Sequence, residues 1–308
     1  MFLTGEISGW QAILIGLVEG LTEFLPISST AHMAIVPQLL RMPDPGAAFS
    51  AVVQLGPVVA IIAYFRHDLA RYIRGILRTR TPANLRPGDI DARLGWFTVF
   101  ATIPALILGK LLEKHIDREF RSLYVIAGAL ILLALFLWLA EWVGKRNKSL
   151  EQMTFPDSQA IGWAQTLALV PGASRSGVTM TAGMFLGLDR ESATRFSFLL
   201  SVPVITAAGI YKLITDVLRQ PDLKAEIVPY TLGTLVAAVS AYAIIHWFLG
   251  YMRRHNTGIF IVYRILLGLL LLALLHFGVI QDGEKKTATP PAAQQAQAAK
   301  ALPASPLP

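Results

Sequence analysis

Two short stretches hold most of the reactive side chains found inside the apolar part of this chain. The first, EGLTEFLPISSTAH (residues 19–32), contains Glu19, Glu23, Ser28, Ser29, Thr30 and His32. Glu19 and Glu23 are four residues apart, so a helix places them on one face. Two carboxylates there repel each other and are costly to bury. A divalent cation relieves both costs. Mg²⁺ typically takes one or two carboxylates and completes its shell with water and substrate phosphate oxygens. The bland alternative is a pair of acids lining a wet cavity or bonding to neighbouring helices. Ionisable groups inside membrane segments are nevertheless functional-site candidates by default. Pro26 interrupts the helix, because it lacks a donor and disfavours helix at the residue before it. Among Ser28, Ser29 and Thr30, one hydroxyl is the ordinary N-cap of the next helix. The backbone donors there form an anion site. His32 can be a general base, a nucleophile or a polar bridge between helices.

The second stretch, PGASRSG (171–177), places Arg175 in a run with no acidic residue between Asp157 and Asp189. An unpaired arginine at such a position is costly unless an anion meets it. Ser174 and Ser176 flank it, and Gly172 and Gly177 allow close backbone approach. A guanidinium beside helix N-terminal amides and hydroxyls is a phosphate-binding arrangement. Arg175 could instead pair with Glu19 or Glu23 as structural glue, which would not exclude phosphate binding. Taken together, the two stretches point to metal-assisted phosphoryl chemistry. The acids hold the cation, Arg175 with Ser174, Ser176, Ser28 and Thr30 binds phosphate, and a hydroxyl or the imidazole attacks in line. No G-x-x-x-x-G-K-[ST] string occurs, which argues against ATP hydrolysis, and no H-E-x-x-H string occurs either.

The elements that must position these residues are membrane helices. The chain is 54% hydrophobic and only 15% charged, against roughly 25% charged in soluble domains. Six apolar windows are long enough to cross a bilayer: 47–65, 94–112, 123–143, 193–215, 230–249 and 259–280. Residues 1–9 have no basic region of the kind a signal peptide carries. Cysteine is absent, which removes disulfides and thiolate chemistry. The net charge of +7 is accounted for by Lys- and Arg-rich cytoplasmic loops rather than by nucleic-acid binding. Residues 281–308, rich in Ala, Pro and Gln, read as a disordered tail behind a single membrane domain, 1–280.

Loop charge sets a topology. Arg66 to Arg93, Lys145 to Lys148, and Arg253 with Arg254 are strongly basic and read as cytoplasmic; 113–121 and 216–226 are mixed in sign and read as external. On that count 10–40 and 158–188 each leave from the side they entered, so they are expected to be re-entrant helical hairpins broken at Pro26 and at Pro171-Gly172. Irregular backbone at membrane depth requires such cover by protein or water. The segments also match in order with one gap: Ile15-Gly16…Pro26…Ser29 with Ile161-Gly162…Pro171…Ser174, and Phe49-Ser50 with Phe196-Ser197. A separation of about 146 residues with opposite entry sides is the pattern of an inverted-topology repeat, here 10–142 and 158–280. The expected fold is an all-α polytopic membrane protein with six transmembrane helices and two re-entrant hairpins.

VEGLTEFLPISSTAHM (18–33) and PGASRSG (171–177), with QLG (54–56) and FSFLL (196–200), resemble the undecaprenyl-diphosphate phosphatases, the bacitracin-resistance family. The resemblance covers about residues 5–280. It implies divalent-cation-dependent (Mg²⁺ or Ca²⁺) removal of the terminal phosphate from a C55 isoprenyl diphosphate, regenerating the carrier lipid of cell-wall synthesis. It further implies a bacterial cytoplasmic (inner) membrane location with the active site towards the periplasm. The acidic pair maps onto Glu19 and Glu23, the histidine onto His32 and the phosphate-binding arginine onto Arg175. Ser29 and His32 match competing proposals for the nucleophile; Ser29 is preferred, with His32 as base and the acids free for metal. Two positions depart from the family pattern: Ala31, which narrows the approach to His32, and Arg195, which adds anion affinity near the cytoplasmic end. A transporter or flippase of isoprenyl phosphate lipid is the rival class, since inverted repeats with broken helices also build transporters. Gly128, Ala129 and Gly233 are small enough to pack helices within the chain or between copies in a homodimer.

Overall fold

The structure is a computed structural model that describes residues 7–86, 88–113, 115, 122–218 and 223–282. Residues 283–308, most of the segment read as a tail, lie outside the described residues. Among those described, every helix or strand longer than a single bridge is helical. In chain order the α-helices are α1 (Gly9–Thr22), α2 (Ser29–Leu39), α3 (Gly46–Val53), α4 (Leu55–Tyr64), α5 (Arg66–Thr79) and α6 (Ile90–Leu111). They continue as α7 (Leu123–Val143), α8 (Phe155–Gln165), α9 (Arg175–Phe185), α10 (Arg190–Lys212), α11 (Leu223–Met252) and α12 (Gly258–His276).

Among the described residues, five helical stretches are each long and apolar enough to cross a membrane: α6, α7, α10 with its π-helical extension to Val217, the 227–252 part of α11, and α12. The window 47–65, expected as one span, makes a sixth crossing when Ala48–Tyr64 and the helix after it are counted together as one bent span. It divides at Gln54 into α3 and α4. Pro57 in the first turn of α4 has no N–H to bond the Val53 carbonyl, so the ladder lacks that bond here. The stretch Ala48–Tyr64 then bends by 82° into α5. There the apolar sequence gives way to Arg66, Asp68, Arg71, Arg74 and Arg78, and α5 becomes an amphipathic helix rather than a continued span.

Glycine decides how the two broken segments seat. A Cβ at Gly16 would lie 2.3 Å from the Gly233 carbonyl oxygen, and one at Gly162 would lie 2.4 Å from the Ala101 oxygen. So α1 lies directly on α11, and α8 lies directly on α6, with backbones in contact as small residues permit. The two breaks also share a backbone form. Ser28 has φ 72°, ψ 93° and Ser174 has φ 67°, ψ 106°, conformations uncommon for non-glycine residues. Each serine caps the 11-residue helix that follows it: Ser28 Oγ accepts from Ala31 N and Ser174 Oγ accepts from Gly177 N.

Around the breaks, Phe24, Phe196, Phe198 and Phe248 form a core with no more than 1% exposure. Phe24 and Phe198 pack with their rings tilted by 58° and their centres 4.9 Å apart. Polar pairs close the helix ends. Asp282 accepts from Ser122 Oγ (2.8 Å) and Leu123 N (2.6 Å), capping α7 from the residues that composition assigned to the tail. At the other end of α7, Glu141 bonds Arg190, Arg146 and the N-terminal Thr257 of α12. Arg195 is engaged too, bonding Asp68 at 3.0 Å over the Phe65 ring. It therefore closes an ion pair between α5 and α10, not the free anion site expected of it.

Candidate active site

The end of α1 and the start of α2 bring the first cluster of side chains together, and α9 brings the second up to it. Thr22 is the last residue of α1, and Glu23 continues its helical backbone. Residues 24–27 turn, and Ser29 opens α2. Glu19, Glu23 and Ser29 are all buried. Ser29 Oγ donates to Glu23 Oε2 at 2.5 Å, a short charge-assisted hydrogen bond. Arg175, the first residue of α9, donates from Nη2 to the other oxygen, Glu23 Oε1, at 3.3 Å. Its Nη1 donates to the Ser197 carbonyl at 3.1 Å, while its Nε is buried without a partner. A carboxylate, a hydroxyl and a guanidinium from two distant parts of the sequence therefore meet in one buried group.

Glu19 lies one turn back with Glu23 and Gln54 as polar neighbours, yet neither carboxylate oxygen has a hydrogen bond. It is fully buried. An unpaired buried carboxylate beside a second carboxylate is the donor set a hard divalent cation satisfies. Glu23 uses only two of its roughly four acceptor positions on Ser29 and Arg175. Among the described residues no cluster of three or more acidic or histidine side chains stands together, so protein ligation would rest on this pair.

The other hydroxyls join the two breaks. Thr30 Oγ1 accepts from Gly172 N at 3.1 Å, and Ser176 Oγ donates to the Leu25 carbonyl at 2.9 Å. Ser28 Oγ and Thr30 Oγ1 are 2.9 Å apart, and Ser174 Oγ and Ser176 Oγ are 3.2 Å apart. Ala31 is buried against α7 and α12, with its methyl in that core.

His32 stands apart from Ser29's hydrogen bonding. Its Nδ1 donates to the Ser28 carbonyl at 2.8 Å, and its Nε2 is hydrogen-bonded to the Tyr263 hydroxyl at 2.6 Å. The two rings stack with centres 5.7 Å apart. Tyr263, like its neighbour Arg264, escapes the sequence reading. Arg264 could have been found by the signal that picked out Arg175, a lone charge in the apolar window 259–280. Tyr263 carries no such signal, since a tyrosine in a span is ordinary.

Residues 12–270 match the family described as bacitracin resistance protein BacA. The chain belongs to that family. An undecaprenyl-diphosphatase of Chloroherpeton thalassium is 47% identical over 285 residues, covering 88% of this chain and 98% of the relative. One of Myxococcus xanthus is 49% identical over 272 residues, covering 87% and 89%. One of Micrococcus luteus is 46% identical over 276 residues, covering 88% and 98%. For this BacA-family chain, near full-length coverage means that both breaks and all the helices between them fall within the similarity.

Proposed function

We propose that this protein is an undecaprenyl-diphosphate phosphatase, a hydrolase that releases inorganic phosphate from the C55 isoprenyl diphosphate and returns the monophosphate carrier lipid. The names of its relatives support that substrate. The observation that carries the chemistry is the buried Ser29–Glu23–Arg175 group, with contacts of 2.5 Å and 3.3 Å.

In this reading the Ser29 oxygen attacks the terminal phosphorus. The Ser29 Oγ–P bond forms, the anhydride P–O bond breaks, and the isoprenyl monophosphate leaves. Glu23 Oε2, already bonded to the hydroxyl, takes its proton. Arg175 neutralises charge on the phosphoryl oxygens, its unpartnered Nε giving it a further donor for them. Water then attacks the same phosphorus: its O–P bond forms, the Ser29 Oγ–P bond breaks, inorganic phosphate carries away the water's protons, and Ser29 takes back the proton held by Glu23. Glu19 and Glu23 would hold Mg²⁺ or Ca²⁺, which supplies charge neutralisation on the diphosphate. His32, bonded to Tyr263 and to the Ser28 carbonyl, is not aligned on Ser29 and takes a positioning role.

The repeated Ser28 and Ser174 geometry, and the matched seating of Gly16 and Gly162, support an inverted-topology repeat with two re-entrant hairpins. With basic loops in the cytoplasm, that arrangement opens the site to the periplasmic face of the inner membrane.

Detergent-purified protein should release phosphate from a soluble isoprenyl diphosphate when Mg²⁺ or Ca²⁺ is added. Glu19→Gln, Glu23→Gln and Arg175→Ala should each lower release by ~10²-fold or more in folded protein. Lipid translocation in vesicles without any phosphate release would establish the transporter reading instead.

A further inference from the structure

The largest fully buried side chain described is Arg264, in the middle of α12, with 0% exposure. It takes no part in the chemistry above. A cation at this depth is costly without compensation, yet all its hydrogen bonds run to backbone carbonyls. Nη1 donates to Pro26 O at 3.4 Å. Nη2 donates to Ala173 O at 2.9 Å and lies 3.4 Å from both Gly172 O and Ala129 O; Nε donates to Leu130 O at 3.3 Å.

The identity of those carbonyls is informative. Pro26, Gly172 and Ala173 lie in the two breaks, where the interrupted helices leave carbonyls without their usual partners. Inside a membrane, water cannot satisfy them. One planar guanidinium, with its fork of donors, reaches both breaks and α7 together. Pro26 is three residues before Ser29, and Ala173 is two before Arg175. Gly177 completes the arrangement, since a Cβ there would lie 2.5 Å from Arg264 Nη1.

We infer that Arg264 is a positioning residue: it locks the two helix breaks to each other and thereby sets Ser29 and Glu23 at their distance from Arg175. The part that concerns turnover rests on the phosphatase reading; the locking of the breaks does not. Lysine keeps the charge but cannot span both breaks, so Arg264→Lys should retain the fold and lose much of the function.

Two measurements test this. The first is phosphate release from farnesyl diphosphate by Arg264→Lys, Arg264→Gln, Gly177→Ala and the Arg264→Gln/Gly177→Ala double variant, normalised to monodisperse protein. The expected result is a fall in kcat of at least ~10-fold with KM changed less than ~3-fold, and a double variant no worse than its worse parent, because both changes remove one contact. A loss that tracks only the folded fraction, a rise in KM at constant kcat, or multiplicative losses in the double variant would overturn it. If Arg264 variants do not fold, Gly177→Ala alone decides.

The second measurement needs no activity. The chain has no cysteine, so nitroxides can be placed at the exposed positions Leu21 and Leu167, one near each break, without background. Their distance distribution should be narrow in the parent and broaden in the Arg264→Gln and Gly177→Ala backgrounds. An unchanged distribution sinks the locking role even if turnover falls. Broadening in a protein with no phosphatase activity at all would leave the lock standing and remove the enzymatic reading instead.

Discussion

Ser29 and His32 divide the polar partners at the first break between them, and the division favours one chemistry over the other. A nucleophile gains from a base on its own proton, and Ser29 has Glu23 Oε2 at 2.5 Å. His32 has both ring nitrogens engaged, by the Ser28 carbonyl at 2.8 Å and by Tyr263 at 2.6 Å. A trapped phosphoenzyme, digested and sequenced by mass spectrometry, should therefore carry phosphate on Ser29; phosphate on His32 would reverse the assignment. Glu23→Gln should lower kcat by ~10²–10⁴-fold, the range for losing a positioned base, and phosphate release from folded variant protein reads it directly. Tyr263→Phe removes only one hydrogen bond to His32, worth about 0.5–1.5 kcal/mol. It should slow turnover by no more than about tenfold, and a loss as deep as that of Glu23→Gln would return His32 to the centre of the reaction.

Helix packing around the site depends on backbone contact rather than on interlocking side chains. A Cβ at Gly20 would lie 2.0 Å from Ser240 Oγ and 2.4 Å from the Ala237 carbonyl. Since a backbone carbonyl cannot swing aside, α1 would have to move off α11 and carry Glu19 and Glu23 with it. Gly20→Ala should destabilise the protein by ~1–3 kcal/mol, the usual range for overpacking, read as a lower thermal midpoint in size-exclusion survival. Gly128→Ala is the control, because a Cβ there meets nothing within 4 Å; its midpoint should not fall, since Ala favours a helix interior over Gly by about 1 kcal/mol. How much of this was legible differs by element. Gly16 and Gly162 could be aligned by eye. Their partners could not, because which backbone a glycine admits depends on which helix arrives. The bond missing from the ladder within 47–65 was written in Pro57; the apolar average of the window concealed it.

The whole molecule presents its charge unevenly, and that asymmetry predicts its orientation. Single cysteines placed in this cysteine-free chain at Asp44 and Leu218 should react with a membrane-impermeant maleimide in intact spheroplasts. Those at Arg86 and Lys145 should react only after permeabilisation. All four positions are exposed, so burial would not explain a failure to label. Labelling of all four from one side would remove the proposed topology and the periplasmic opening of the site with it.

Composition and motif spacing determined by themselves that this is a helical membrane protein of the BacA family with charged groups at two breaks. Hydropathy and local chain breaks are properties of neighbouring residues, and they survive without a fold. Only the tertiary structure decided that Glu23 holds both Ser29 and Arg175, that Thr30 and Ser176 join the breaks, and that His32 answers to Tyr263. Those partners lie up to 231 residues apart in the chain, and a hydrogen bond is set by distance and direction in space, which residue spacing does not encode.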